Sequence, residues 1–371
     1  VLANQTNRTI AVDAVSAIFT RFDAADVERL LKDDYIQHNP AVPTGRAAIV
    51  GFLPVLKESG ITVTTHRVLA EGNFVVTHST YANAKLFGAD TLVAFDVFRI
   101  EDGKVAEHWD NLAPVAPANP SGRTQIDGPV EMTDLDKTTE NKALVADFVE
   151  SVLIGGNVDQ AARFISQTTY HQHNTAIADG VDGLGAALAA MAKQGVTMKY
   201  DTLHLLVAEG NFVFTMSEGK LGGKPTAFFD LFRIQAGQIV EHWDIISDIP
   251  ESMAHPNGKF GMAAKHTKST TDIFGKSYKV DFGAFRFRLD FISPTEMDWS
   301  IISDNNVGQK NRERITVVEV RPGINMVYWS EKAGNRITHV EDFTRGVVHT
   351  NIAMADGSFL NLTGTLVELK D

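Results

Sequence analysis

The sequence predicts an α+β protein made of two copies of one domain, followed by a third domain built only of strands. Three observations carry this. Four short blocks recur in the same order along the first two thirds of the chain. In each copy, helix-spaced apolar residues precede strand-like runs. Beyond Ile273, alternating runs bounded by turn residues dominate.

Tyr35-Ile36-Gln37-His38-Asn39 returns as Tyr170-His171-Gln172-His173-Asn174. Ala70-Glu71-Gly72-Asn73-Phe74-Val75 returns as Ala208-Glu209-Gly210-Asn211-Phe212-Val213. Phe95-Asp96-Val97-Phe98-Arg99-Ile100 returns as Phe229-Asp230-Leu231-Phe232-Arg233-Ile234. Glu107-His108-Trp109-Asp110 returns as Glu241-His242-Trp243-Asp244. The period, about 135 residues, far exceeds the roughly 20–50 residues of a solenoid unit, so each copy is a whole domain. The boundaries fall at 7–114 and 140–249, with the strand-rich domain at 272–371. Val115–Gly122 is turn-rich and reads as a linker. A second linker spans Pro250–Thr271, lacks a periodic apolar pattern, and is expected to be cut readily by protease.

Each copy opens on helices. Val12, Val15, Ile18, Phe19 and Phe22 are helix-spaced in copy one, as are Leu144, Val145, Phe148, Val149 and Val152 in copy two. A second short helix follows; in copy two, Asn157 three residues before Gln160 resembles a capping box. A third helix carries Ile49, Leu53 and Leu56, or Leu184, Leu188 and Met191. Strands are then expected at Thr62–Ala70, Phe74–Tyr81, Leu92–Ile100 and Val105–Leu112, separated by turns such as Asp102-Gly103. Helices followed by an antiparallel sheet give an α+β domain with the helices on one face.

Composition narrows function by exclusion. The chain has 371 residues, 44% hydrophobic and 22% charged, with no cysteine, so thiolate chemistry and zinc–cysteine sites are ruled out. A net charge of −12 disfavours nucleic acid. No run approaches the roughly 20 apolar residues of a membrane span, and the first 25 residues carry no secretory pattern, so a cytoplasmic protein is expected. Gly180-Val181-Asp182-Gly183-Leu184-Gly185 crowds glycines without phosphate-loop spacing.

The helix-then-sheet order, Tyr-x-Gln-His-Asn and the ending Phe-Asp-x-Phe-Arg-Ile…Glu-His-Trp-Asp resemble SnoaL-like polyketide cyclase domains of the nuclear-transport-factor-2-like superfamily. The resemblance covers both copies. It implies a curved sheet and helices forming a cone with a pocket, and a range of reactions: cyclisation, isomerisation, dehydration, epoxide hydrolysis, or binding alone.

Alternation places Leu92, Ala94, Asp96, Phe98 and Ile100 on one strand face, apolar apart from Asp96; Asp230 repeats this. A carboxylate on such a face is costly unless paired or protonated, which points to a pocket acid or base with a raised pKa. In the resembling family, the Asp closing the last strand is the general acid/base, a role that falls on Asp110 and Asp244. Asp96 and Asp230 stand where the family prototype has a His. His108 and Asp110 share a face, as do His242 and Asp244. Register decides the rest: a two-residue Asp102-Gly103 turn sets Trp109 opposite Asp96, and a longer turn with a bulge sets His108 there. His38 and His173 are candidate proton carriers or orienters. Tyr35 and Tyr170 offer phenols to a substrate oxygen, and Trp109 and Trp243 a pocket wall. His171-x-His173 with His242 and Asp244 has metal-ligand spacing, but copy one has Ile36 at the first position and the family needs no metal; neither metal nor cofactor is expected. The extra His171, and an Asn39–Pro43 loop that narrows the mouth of copy one, tilt the expected activity toward copy two.

From Ile273 onward, Phe285–Phe291, Ile315–Val320, Met326–Glu331, Arg336–Phe343, Val347–Ile352 and Leu362–Leu369 suggest a small antiparallel barrel. Val327-Tyr-Trp-Ser-Glu and His339-Val-Glu-Asp-Phe-Thr-Arg-Gly resemble the MoaF-like, lipocalin-like barrels, which implies a ligand-sized interior; Trp299, Tyr328, Trp329, His339 and Glu341 are the candidate residues there.

The expected function is cofactor-free acid/base chemistry of a lyase or isomerase of secondary metabolism on a small or medium apolar carbonyl compound. The alternative is a ligand-binding or scaffold protein holding a hydrophobic metabolite. The partner is a small molecule. The sheet faces bearing Phe95 and Val97, or Phe229 and Leu231, are too apolar to stay exposed, so the copies should pair as an internal pseudo-dimer, with further oligomerisation open.

Overall fold

The computed structural model describes residues 2–261, 273–303, 306–308, 310–321, 323–343 and 345–369. The chain forms two compact units, Val1–Ala264 and Lys265–Asp371.

In copy one, α1 (Leu2–Ser16) turns its small apolar residues Ala11, Ala14 and Val15 inward and runs on as a π-helical segment, Ala17–Arg21. α2 (Ala24–Leu30) begins where the Asp23 side chain accepts the Asp26 N–H at 2.9 Å, an N-cap that satisfies an otherwise orphan donor. β1 (Leu31–Gln37) follows, then α3 (Arg46–Ser59), which buries Ile49, Leu53 and Leu56 and ends at Gly60. Four antiparallel strands complete the sheet: β2 (Thr62–Glu71), β3 (Phe74–Ala82), β4 (Thr91–Glu101) and β5 (Lys104–Pro114), in the order β1-β5-β4-β3-β2. Sequence patterning misses β1. Its Lys32, Asp33 and Asp34 break any alternation, and it is a strand because it pairs in parallel with β5.

Copy two repeats the plan. α4 (Thr138–Phe148) continues as a π-helical segment, Val149–Ile154, and a 3-10 segment covers Val158–Arg163. The capping box expected at Asn157 does not form: Asn157 Nδ2 donates back to Ser151 O at 3.0 Å, and the turn stays 3-10. β6 (His171–Gln172), α5 (Gly180–Lys193), β7 (Met198–Glu209), β8 (Phe212–Leu221), β9 (Lys224–Gln235) and β10 (Gln238–Asp248) give the sheet order β6-β10-β9-β8-β7. α5 is rich in Ala and Gly and has no fully buried residue, unlike α3.

The sheet faces away from the helices form one buried cluster. Leu69, Val76, Val93, Phe95, Val97 and Trp109 of copy one meet Val207, Phe212, Phe214, Phe229, Leu231 and Trp243 of copy two. Each fully buried aromatic or branched side chain contributes about 1.5–3 kcal/mol. The recurring Ala-Glu-Gly-Asn hairpins bond reciprocally across this junction. Glu71 accepts the Ala208 N–H (2.8 Å) and pairs with Lys142; Glu209 accepts the Ala70 N–H (2.8 Å) and pairs with Arg8.

The two linkers cross over as straps. Residues 119–128 pack on copy two: Asn119 Nδ2 donates to Gln172 O (2.6 Å), and Trp243 Nε1 donates to Asp127 O (3.0 Å). Residues 255–261 pack on copy one: Asn257 Nδ2 donates to Gln37 O (2.9 Å), and Trp109 Nε1 donates to Phe260 O (3.0 Å). The expectation of a bare linker over Pro250–Thr271 is therefore corrected for its first half; residues 262–271 lie outside the described residues. Gly128 and Gly261 sit against His173 and His38, with φ of +92° and +79°. A Cβ on Gly261 would lie 2.5 Å from His38 Cε1, so both the space and the backbone demand glycine.

The second unit is a closed barrel of eight antiparallel strands: β11 (Ser277–Asp281), β12 (Arg286–Ser293), β13 (Glu296–Ser303), β15 (Asn311–Arg321), β16 (Ile324–Ser330), β17 (Arg336–Asp342), β18 (Val347–Ala353) and β19 (Phe359–Leu369). A two-residue strand, β14 (Asn306–Val307), hangs on β13. Pairing of β12 with β13 closes it. Its cavity of about 220 Å³ is lined by Phe282, Phe287, Trp299, Trp329, Ile337 and His339 among others. His339 pairs with fully buried Glu341 at 3.0 Å, whereas Tyr328 faces out. Among the described residues, no helix is long and apolar enough to cross a membrane.

The strap geometry fixes a result for limited proteolysis of the native chain. Bonds between His255 and Phe260 should survive, because their main-chain groups are engaged by copy one. Cleavage there at the rate of an exposed loop would contradict the docked strap.

Candidate active site

One extra residue sets the register. Glu101 pairs with Lys104 and Ile100 with Val105, but Arg99 pairs with Glu107, so Ala106 is a bulge on β5. Beyond it, Val97 faces Trp109 and Asp96 faces Asp110. Neither alternative drawn from the turn holds: the bulge adds its residue to β5, which advances the partner of Asp96 from Trp109 to Asp110. Copy two carries the same bulge at Val240 and pairs Asp230 with Asp244. Like charges directly opposite on a sheet repel, so the pair requires a proton or a counter-charge between them.

On the cavity face of copy one, His108 supplies the link. Gln37 Oε1 accepts the backbone N–H of His38 (3.0 Å) and of Asn39 (2.9 Å), which identifies it as the amide oxygen. His108 Nδ1 donates to the same oxygen at 2.9 Å. Its Nε2 lies 3.0 Å from Asp96 Oδ1, so one proton is shared between that nitrogen and that carboxyl. Tyr81 donates to Asp96 Oδ2 at 3.0 Å. Burial pushes the Asp96 carboxyl up, with the His108 hydrogen bond opposing it. Asp110 Oδ2 accepts Asn39 Nδ2 at 2.6 Å, while its buried Oδ1 has no hydrogen-bond partner. Gln37 Nε2 donates to the Tyr35 phenol (3.2 Å), leaving the Tyr35 O–H as a donor toward the cavity it lines; burial, then the Asp110 and Asp96 charges, hold this phenol well above its usual pKa, hence protonated.

Apolar side chains form the rest of the cavity, which measures about 70 Å³: Val15, Ile18, Val42, Ile49, Leu56, Phe98 and Leu112, with half-buried Phe19, Phe52 and Phe87 at its rim. Asp96, His108 and Asp110 each offer an atom within 4.8 Å of the others. Both His108 nitrogens are already engaged, so the cluster as it stands is a proton-sharing network.

On the opposite face, His38 donates through Nδ1 to Gly258 O (2.7 Å) and through Nε2 to Glu107 Oε1 (2.8 Å), and stacks on Trp109 with ring centroids 4.9 Å apart. Arg99 holds Glu107 Oε2 at 2.8 Å. Burial alone would raise the Glu107 carboxyl, but the His38 and Arg99 hydrogen bonds outweigh it and hold it below the usual range. His38 thus anchors the strap and does not line the cavity. In copy two His173, Glu241, Arg233 and Trp243 repeat the arrangement. His171 lies 3.8 Å from Glu241 Oε1, on this same face, so His171 and His173 do not converge with His242 and Asp244.

The cavity face of copy two repeats the chemistry with changes. His242 bridges Gln172 Oε1 and Asp230 Oδ1 at 2.9 Å each, and Asn174 holds Asp244 Oδ2 at 2.7 Å. Burial opposes a charged His242, but the Asp230 hydrogen bond together with the Asp244 and Asp230 charges outweighs it and raises its pKa; burial also raises Asp244. Tyr170 accepts from Gln172 Nε2 as Tyr35 does from Gln37. The phenol on Asp230 comes from Tyr200 on β7, whereas Tyr81 stands on β3. Copy two has Gly219 in the place of Tyr81, and copy one has Val63 in the place of Tyr200. Phe228 replaces Ala94 and stacks on Tyr200 at 4.1 Å, while Asp244 is half-buried where Asp110 is buried.

The structure thus gathers Asp96, His108, Asp110 and Tyr35 into one cavity and places Asp230, His242, Asp244 and Tyr170 equivalently. Trp109 and Trp243 belong to the sheet junction. Sequence reasoning missed Gln37, Asn39, Tyr81 and Lys259, whose Nζ donates to Asp110 O at 2.7 Å. The signal for the last was present: Asn119-Pro-Ser-Gly-Arg123 and His255-Pro-Asn-Gly-Lys259 follow the two copies in turn.

The chain carries a SnoaL-like domain at residues 12–108 and a MoaF-like domain at residues 274–367. No curated protein matches it in sequence. Among solved structures it is similar to a candidate ketosteroid isomerase from Kribbella flavida, at 22% identity over 34% of this chain and 92% of that one, TM-score 0.26. It is also similar to IdmH, a candidate polyketide cyclase from Streptomyces antibioticus, at 16% identity over 29% and 91%, TM-score 0.25. An LEH-like epoxide hydrolase from M. tuberculosis matches at 18% identity over 30% and 84%, TM-score 0.25.

The lowered Glu107 carboxyl gives a signed pH dependence. A depressed folded pKa contributes stability above the unfolded value, about 4.3, and loses it as pH falls through the folded value. Glu107→Gln should destabilise the first unit by about 3 kcal/mol at pH 7, and the gap to wild type should close as urea melts are taken below about pH 4. A gap independent of pH would contradict the ion pairing.

Proposed function

We propose that copy one is a cofactor-independent acid/base site that removes a proton next to a carbonyl in a small or medium apolar compound. The observation that carries this reading is the face-to-face Asp96–Asp110 pair at the polar end of an apolar cavity, with both Asp96 oxygens hydrogen-bonded and Asp110 Oδ1 not. Asp110 Oδ1, buried and without a hydrogen-bond partner, is the base. The proton shared by Asp96 and His108 is the acid, and the Tyr35 O–H stabilises the oxyanion.

In this scheme the α C–H proton passes to Asp110 and its electron pair moves onto the carbonyl oxygen as an enolate. Returning the proton to another carbon is isomerisation; attack of the enolate carbon on a second carbonyl is aldol cyclisation; expulsion of a β-hydroxyl, protonated by the acid, is dehydration. The chain's likeness to a candidate ketosteroid isomerase and a candidate polyketide cyclase is consistent with this class. The narrow cavity suits a small compound, and a larger one requires Phe19, Phe52 and Phe87 to give way. We read the two copies as an internal pseudo-dimer, supported by the reciprocal Glu71 and Glu209 bonds.

The expected preference for copy two gives way here to copy one. His171 lies beside Glu241 on the face away from Asp230 and Asp244, Asp244 is less buried than Asp110, and Phe228 occupies space that Ala94 leaves open. A second reading, in which the chain holds a hydrophobic ligand, is favoured by one observation of its own, the aromatic-lined barrel cavity.

The test uses α-hydrogen exchange in D₂O, followed by NMR on a panel of apolar ketones and β-keto esters. Asp110→Asn should lower the exchange rate about 10²–10⁴-fold, the usual range for a general base, with Asp244→Asn near wild type. Full exchange in Asp110→Asn would remove Asp110 as the base.

A further inference from the structure

Asp110 of copy one is contacted by a residue that copy one does not encode. Lys259 lies on the strap that follows copy two. Its Nζ donates to the Asp110 carbonyl at 2.7 Å and stands 3.7 Å from Asp110 Oδ1. It is 6% exposed. β1 pairs with β5 only as far as Gln37 and His108, so the ammonium takes the place that a continuing β1 would give to a main-chain donor. The strap is held on both sides of it: Gly258 O by His38, Phe260 O by Trp109, and Asn39 O by His255 Nε2 at 2.9 Å. The Phe260 ring stacks on His204 of copy two at 4.3 Å. The matching cation on the first strap, Arg123, turns outward to Asp179 at 2.8 Å. Asp244 thus has no equivalent of Lys259 among the partners described for it.

We propose that Lys259 is a positioning residue of the copy-one site: its ammonium fixes the main chain of Asp110 and supplies the counter-charge for its carboxylate, so the tail of copy two completes the site of copy one. The inference rests on the reading of Asp110 as the base. The groups facing Asp110 are Asp96 on β4, His108 on its own strand, the Tyr35 and Tyr81 phenols on β1 and β3, and His255 and Lys259 on the strap. Lys259 is the cation closest to its free oxygen. Burial pushes the Lys259 amine down, and the Asp110 charge opposes that. The arrangement accounts for why a duplicated domain keeps both copies in one chain: each tail lies on the other copy, and one tail carries a charge into the site.

The experiment titrates the full chain with ¹³Cε-labelled lysine by NMR, the Lys259 signal being the one lost in Lys259→Arg. In the wild type Lys259 should titrate below the surface lysines. Asp110→Asn should lower it further by about one pH unit or more, as loss of an opposite charge within 4–6 Å does, whereas Asp244→Asn should leave it unmoved. Asp110→Ser serves if the Asn variant does not fold. A Lys259 that titrates with the surface lysines, or that ignores replacement of Asp110, overturns the proposal. On any ketone that the chain exchanges, Lys259→Gln should move the acid limb of the rate profile to higher pH, and Lys259→Arg should restore it. Coupling without exchange on any probe would leave Lys259 paired with Asp110 and sink the base assignment; exchange without coupling would do the reverse.

Discussion

The bulge on the last strand of each copy is the constraint on which the rest depends. Were Ala106 paired and not bulged, the simple turn would set Trp109 opposite Asp96. The face carrying Phe95 and Val97 would then no longer match the face carrying Glu107 and Trp109. One added residue brings the two carboxylates face to face and at the same stroke turns Trp109 into the sheet junction. Because successive strand residues alternate, Glu107 and Trp109 serve the junction and strap, and His108 and Asp110 serve the cavity. The repeated Glu-His-Trp-Asp is two interleaved functions on one strand.

This alternation explains why the repeated blocks travel together. In Tyr-x-Gln-His-Asn, the Tyr receives a bond from Gln, Gln orients His108, His38 bonds Glu107, and Asn39 holds Asp110. None can change without stranding a buried polar partner, which costs about 1–3 kcal/mol for a neutral group and more for a charge. Where the copies differ, they differ in compensating or loosening ways. The phenol on the inner Asp moves from β3 in copy one to β7 in copy two, keeping its hydrogen bond. The helix over copy two fully buries none of its apolar residues, and its outer Asp is less buried than its counterpart.

Much of this was legible in the sequence, and the remainder was hidden for physical reasons. The repeat, the order of helices and strands, the apolar face around Asp96 and the pairing of His108 with Asp110 all follow from local periodicity. Tertiary pairing cannot be read that way. β1 has no alternation of its own and exists through β5. The bulge leaves no mark that distinguishes Ala106 from any other strand alanine. His38 looks like a catalytic histidine until the strap shows which acceptors hold it. Lys259 lies in a stretch without apolar rhythm, which resembles a linker until its hydrogen bonds are seen. Contacts more than two hundred residues apart, such as Gly258 with His38, leave no local signal beyond the paired Pro-x-Gly-cation motif.

The central claim is that the facing carboxylates of copy one form a site for an enolising carbonyl compound. It is tested most directly by a crystal structure of the full chain soaked with phenol, a planar mimic of an enol. The account predicts phenol in the copy-one cavity, its oxygen within hydrogen-bond reach of Asp110 Oδ1 and the Tyr35 hydroxyl, and its ring against Phe19 and Leu112. Phenol found only in the barrel or beside Asp244, with the copy-one carboxylates untouched, would contradict it.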